Sequence, residues 1–174
     1  MPELTLSSLS EFTVLRADPE LCDVETALEH QHFANVTDLL IATPDQDARA
    51  QLENLFREYD WRVQSLHSCA AAREFLMNNL TAVAVCAEEF PDGSWTELGN
   101  AAHQAHSPAL IVIAENRSAL LDVMNAGGFD IITLPFQRED VLWSIASAWH
   151  AWMTRYEQCM DRLQETGGDP QRAA

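Results

Sequence analysis

The sequence predicts an α/β fold in which a five-stranded parallel sheet carries helices on both faces. Three observations lead there. Ala82–Ala87 is an unbroken run of small and β-branched apolar residues, too short for a helix and typical of a strand buried on both sides. Further strand-like stretches, some continuous and some alternating, occur at Leu39–Ala42, Trp61–Leu66, Pro108–Ala114 and Phe129–Leu134, with helix-patterned stretches between them. Turn formers then punctuate the chain, as in Thr43-Pro44-Asp45, Pro91-Asp92-Gly93 and Gly127-Gly128.

Each element has its own reason. Leu39-Leu40-Ile41-Ala42 reads as the first strand, and Thr43-Pro44-Asp45 breaks it. Ala48, Leu52, Leu55 and Phe56 form one face of a helix over Asp47–Tyr59. Trp61–Leu66 alternates enough to lie near a sheet edge, and Ser68 caps a helix over Ala70–Asn78. The third strand ends at Ala87, and a weakly patterned helix over Ser94–Gln104 leads to the fourth, Pro108–Ala114. A helix from about Ser118 to Asn125 ends at Gly127-Gly128, since glycine suits the position after a helix. Phe129–Leu134 is the fifth strand, and a long helix starts near Arg138. In sheets of this type ligands gather outside the carboxyl ends of the strands, which directs attention to Cys86–Gly93 and the neighbouring strand ends.

Composition removes several functions. The chain has 174 residues, a net charge of -17 and ten basic residues, all arginine. It shows no basic stripe for nucleic acid, so no nucleic-acid partner is expected. No apolar run suits a membrane span and no signal peptide is visible, so a cytoplasmic protein with no membrane partner is expected. The widely spaced Cys22, Cys69, Cys86 and Cys159 fit a reducing compartment. GxGxxG, GxxxxGK[ST] and GxSxG motifs are all missing. His30 with His32, and His103 with His106, lack further ligands at metal-binding spacing, and solvated surfaces are the simpler reading. Residues 1–37 hold seven acids against Arg16 alone and read as an acidic, partly ordered N-terminal arm.

Phe90-Pro91-Asp92-Gly93 after the third strand, and Asn125-Ala-Gly-Gly-Phe-Asp-Ile-Ile-Thr-Leu-Pro-Phe136, resemble the receiver domain of two-component response regulators. The resemblance covers residues 38–150 and leaves 151–174 as a helical extension and flexible tail. It implies a flavodoxin-like (βα)5 three-layer sandwich of strand order 2-1-3-4-5, phosphorylated on an aspartate with Mg²⁺ bound. Carried across residue by residue, the metal-binding acidic pair falls on Thr43 and Pro44, and the phosphoaccepting aspartate on Ala87. The Ser/Thr that contacts the phosphoryl group becomes Ile113, the lysine becomes Leu134, and the switch aromatic becomes Ile131.

An acyl phosphate needs a carboxylate nucleophile, and Mg²⁺ needs hard oxygen ligands. Neither is present at the matching positions. The expectation is therefore a degenerate receiver, not an enzyme, without a cofactor, acting on a signalling protein partner independently of phosphorylation. The alternative is an active receiver with a non-standard Mg²⁺-dependent site built from Asp45, Glu88 or Glu89.

The last helix carries Val141, Ile145, Trp149, Trp152, Tyr156, Met160 and Leu163 at near-heptad spacing. Residues beyond His150 are expected to overrun the sheet, leaving Trp152, Tyr156, Met160 and Leu163, together with Trp149, to form a homodimer seam ending at Thr166.

Overall fold

The structure, a computed structural model, describes residues 36–101 and 107–166, excluding the side chains of 163–166. The readings made above for residues 1–35, for His103 and His106, and for 167–174 lie outside these residues.

Five parallel strands form the sheet: β1 (Val36–Ala42), β2 (Val63–Leu66), β3 (Leu80–Ala87), β6 (Ala109–Ala114) and β7 (Asp130–Thr133). Their spatial order is β2-β1-β3-β6-β7, the expected 2-1-3-4-5 arrangement of the main strands. The small β4 (Glu89–Phe90) and β5 (Gly93–Ser94) form a separate antiparallel hairpin after β3, where a plain turn was expected. The helices are α1 (Gln46–Phe56), α2 (Cys69–Asn78), α3 (Trp95–Ala101), α4 (Leu120–Asn125) and α5 (Arg138–Thr166), with a single 3-10 turn at Arg117–Ala119 before α4.

Alternation along the central strands divides the core between the two faces of the sheet. Leu39, Ile41, Val83 and Val85 pack with Leu52 and Phe56 of α1 and with Val141, Ile145 and Trp149 of α5. Leu40, Ala42, Ala84 and Cys86 face the other way, toward Ala72 of α2, Leu98 of α3 and Val123 of α4. This is a three-layer sandwich. Both faces of β1 and β3 are covered, which explains their nearly unbroken apolar sequences.

β1 begins at Val36, two residues before the boundary placed at residue 38, because Val36 and Thr37 pair with Leu80 and Thr81 of β3. Asp38 interrupts the apolar pattern from inside the strand. It is 1% exposed and accepts hydrogen bonds from Arg62 N at 2.8 Å and Arg62 Nε at 3.3 Å, so the buried carboxylate is paired. That pairing also ties the loop before β2 to β1.

The final helix corrects one expectation. Trp149 and Trp152 are 2% and 1% exposed and belong to the core of their own chain, so neither is available to a dimer seam. The reason is length. The 15 residues from Arg138 to Trp152 span about 22 Å along a helix, whereas the eight-residue β3 spans about 26 Å. The helix therefore still covers the sheet at Trp152, and the overrun begins one turn later than the spacing suggested. Tyr156 stacks on Trp152 with ring centroids 5.0 Å apart, and Met160 is 37% exposed. The side chain of Leu163 lies outside the described residues.

Candidate functional site

The carboxyl ends of β1, β3 and β6 and the segment after β7 surround an open cleft of about 490 Å³. α1 leaves β1 toward one face and α3 follows β3 on the other, so the cleft lies where the chain winding reverses. Thr43, Pro44, Asp45, Ala87, Glu88, Glu89, Ile113 and Leu134 all line it, so the eight positions chosen for the pocket converge in space. Ile131 does not. It is 1% exposed and packs inside the face covered by α2, α3 and α4.

The geometry assigns several of these residues structural tasks. Asp45 is the N-cap of α1, its Oδ1 accepting from Asp47 N at 2.8 Å and Ala48 N at 3.1 Å. These bonds satisfy two amides that a helix start leaves without partners. Thr43 Oγ1 accepts from Asp45 N at 3.2 Å, and Arg49 Nη1 donates to the Thr43 carbonyl at 3.1 Å. The first loop is thus held by its own residues.

Magnesium, the ion implied by the resemblance, does not suit this arrangement. Pro44 offers no side-chain oxygen, Thr43 is buried with its hydroxyl in a backbone contact, and the Asp45 carboxylate is engaged at the helix start. Among the described residues no group of three or more His, Cys, Asp or Glu side chains is placed to hold a metal ion.

The remaining walls are apolar below and polar at the rim. Ala87 presents a methyl group at the end of β3, with Ile113 and Leu134 also lining the cleft. Glu88, Glu89 and Glu115 are exposed around them. Cys86, one residue before Ala87, is fully buried, and burial pushes its thiol pKa up to about 12. It supplies no nucleophile at neutral pH.

Three further features escaped the sequence reading. Glu115, Asn116 and Ser118 line the cleft, and Asn116 accepts from Ser118 N at 2.9 Å to open the 3-10 turn. The Asn-x-Ser spacing carries a capping signal that could have identified it. The second feature is Asp92, whose two carboxylate oxygens accept from Cys69 N and Ala70 N, each at 2.9 Å, across 23 and 22 residues of chain. No local pattern announces a bond of that range. The third is the hairpin itself, joined to the rest of the loop by Trp95 N donating to the Glu88 carbonyl at 3.3 Å.

No protein-family model matches the sequence, and no curated protein matches it. Solved structures do. The receiver domain of an HD domain-containing protein from Pseudomonas fluorescens Pf-5 superposes with a TM-score of 0.65 at 13% identity, over 74% of this chain and 98% of that one. A CheY-like receiver domain protein from Methanospirillum hungatei JF-1 gives 0.61 at 18% identity, over 68% and 98%. The beryllofluoride-activated NtrC4 receiver domain dimer gives 0.60 at 16% identity, over 67% and 98%. The fold is that of a response-regulator receiver domain. Within that fold, the cleft at the strand ends has a methyl group where the resemblance puts the phosphoaccepting carboxylate, and an aliphatic side chain where it puts the lysine.

Proposed function

We propose that this protein is a phosphorylation-independent signalling module of the receiver type, which acts by binding another protein and performs no catalysis. The carrying observation is the cleft itself. Ala87, Ile113 and Leu134 line it at the positions of nucleophile, hydroxyl and cation, while Asp45 is committed to the N-terminus of α1. A phosphoryl group delivered there would find no carboxylate at Ala87 to accept it and no cation at Leu134 to balance its charge. Ile131, sealed in the core, replaces a switch residue with fixed packing.

The reading with Glu88 or Glu89 as an acceptor rests on their exposure at the rim. It lacks a metal site among the described residues, and the first reading is the better supported. No described helix is long and apolar enough to cross a membrane.

Incubation with acetyl phosphate and Mg²⁺ tests the proposal. The expected outcome is an unchanged intact mass and unchanged tryptophan fluorescence. Stoichiometric, acid-labile, hydroxylamine-sensitive phosphate on Asp45, Glu88 or Glu89 would overturn it.

We also infer that the chain self-associates through α5 beyond Trp152. The support is that this helix is about 43 Å long from its 29 residues, well beyond the height of the sheet, and places Met160 in solvent. The NtrC4 receiver domain, a structure of like fold, is a dimer.

A further inference from the structure

The hairpin after β3 lies over the start of α2, and several independent contacts fasten it there. Asp92, at its tip, accepts from Cys69 N and Ala70 N at 2.9 Å each, while Ser68 caps the same helix by accepting from Ala71 N at 3.2 Å. The first three amides of α2 are thereby satisfied, two of them by a residue from a different loop. Cys69 Sγ lies 3.6 Å from the Ser94 carbonyl. Gly93 leaves no spare room: a Cβ there would come within 2.8 Å of Cys69 Sγ. Beyond the hairpin, Arg73 of α2 sits 3.8 Å from Glu97 of α3, an exposed and weaker tie.

The same segment forms a wall of the cleft. Glu88 and Glu89 line it, and Glu89 belongs to β4, paired with Ser94 of β5. A movement of the hairpin away from α2 therefore moves the cleft wall. It also uncovers Cys69, which is 1% exposed when the hairpin is seated.

We propose that the Glu89–Ser94 hairpin is a lid latched by Asp92 onto the first turn of α2, and that releasing the latch opens the cleft wall and exposes Cys69 while the sheet stays folded. The lid sets the shape of the cleft without phosphorylation. It does not depend on what the cleft binds, so its failure would leave the proposed signalling role standing.

The cysteines supply both probe and control. Iodoacetamide labelling of the full chain, followed by peptide mapping, reports Cys69 under the lid and Cys86 in the central strand. Asp92→Asn should raise the Cys69 rate at least tenfold with Cys86 unchanged, and should speed amide exchange across residues 88–94. The Asp92 carboxylate also helps raise the Cys69 thiol pKa, after burial and Glu97, so its removal alters reactivity directly. Gly93→Ala leaves the Asp92 carboxylate in place while its Cβ would meet Cys69 Sγ and Glu97 Oε1 at 2.8 Å each, so amide exchange at 88–94, which does not depend on the thiol pKa, separates opening from altered thiol reactivity. It should give the same selective exposure of Cys69 and the same faster exchange at 88–94. Slow labelling of Cys69 and unchanged exchange in both variants would overturn the proposal. So would Cys69 and Cys86 becoming reactive together, because that outcome means the chain opens as a whole.

Discussion

At the residue scale, a few side chains decide what the strand ends can do. Ala87 and Leu134 are neutral, and on the reading proposed above a single added carboxylate does not make a phosphorylation site. Ala87→Asp alone should still take up no acid-labile phosphate from acetyl phosphate and Mg²⁺, read by intact mass, because Thr43, Pro44 and Leu134 remain. Asp92 shows the opposite case of a residue with a defined electrostatic role. Hydrogen bonds from Ala70 N and Cys69 N hold its carboxyl pKa below the ordinary value of 3.8, with His67 contributing in the same direction. Cys69, Arg73 and Glu97 stand near the same helix end. A depressed carboxylate contributes stability above its unfolded pKa and loses that contribution as pH falls through the folded value. The latch should therefore be intact at neutral pH and release only in acid. In an NMR titration, the Cys69 and Ala70 amide signals should shift together with a midpoint below the ordinary carboxyl value of 3.8.

At the element scale, helix starts and one long helix define the architecture. Asp45 caps α1 at the edge of the cleft, and Asp45→Ala should cost about 1 kcal/mol in a denaturant melt, the usual loss for such a cap. α5 begins beside the carboxyl end of β7 and packs on β3, β6 and β7. Its Trp152 shares a cluster with Trp61 and Val36 and is stacked against Tyr156. Trp152→Ala should destabilise the protein by about 3–5 kcal/mol, as for other buried aromatics. Met160→Glu, changing an exposed side chain past the sheet, should leave the monomer's stability within about 0.5 kcal/mol. A Trp152→Ala melt matching wild type would show that the indole is not packed as described.

At the scale of the whole molecule, the question is which surface meets another protein. The free end of α5 is the surface proposed above, and the burial of Trp152 decides how it must be probed. A charge at Trp152 would unfold the chain and report nothing about association. Met160→Glu avoids the core that α5 forms with the sheet, because Met160 is 37% exposed. Sedimentation at high micromolar concentration should show a wild-type dimer and a folded monomer for this variant. A monomeric wild type would remove the dimer while leaving the receiver fold untouched.

Much of this was legible in the sequence because it depends on local pattern. Continuous apolar strands such as Ala82–Ala87, the period of Ala48, Leu52 and Phe56, the Ser68 cap and the glycine pair after α4 each report a local backbone need. Gly127, for example, has φ of +93°, a conformation that side chains disfavour. The eight cleft residues were also within reach, because strand ends in a parallel sheet must meet on one side. Other features depended on distances between parts of the chain remote in sequence. The heptad spacing of α5 shows which residues share a face, but the height of the sheet determines where that face stops being covered, and so places Trp152 inside. Likewise, Pro91-Asp92-Gly93 signals a turn, whereas the docking of Asp92 on Cys69 and Ala70 follows from the packing that brings α2 beside the end of β3. The sequence determined the strands and the helices, both carried by residue type and spacing. Only the tertiary structure decided which apolar face is used up within the chain and which loop is fastened, because both depend on long-range distances that no local pattern encodes.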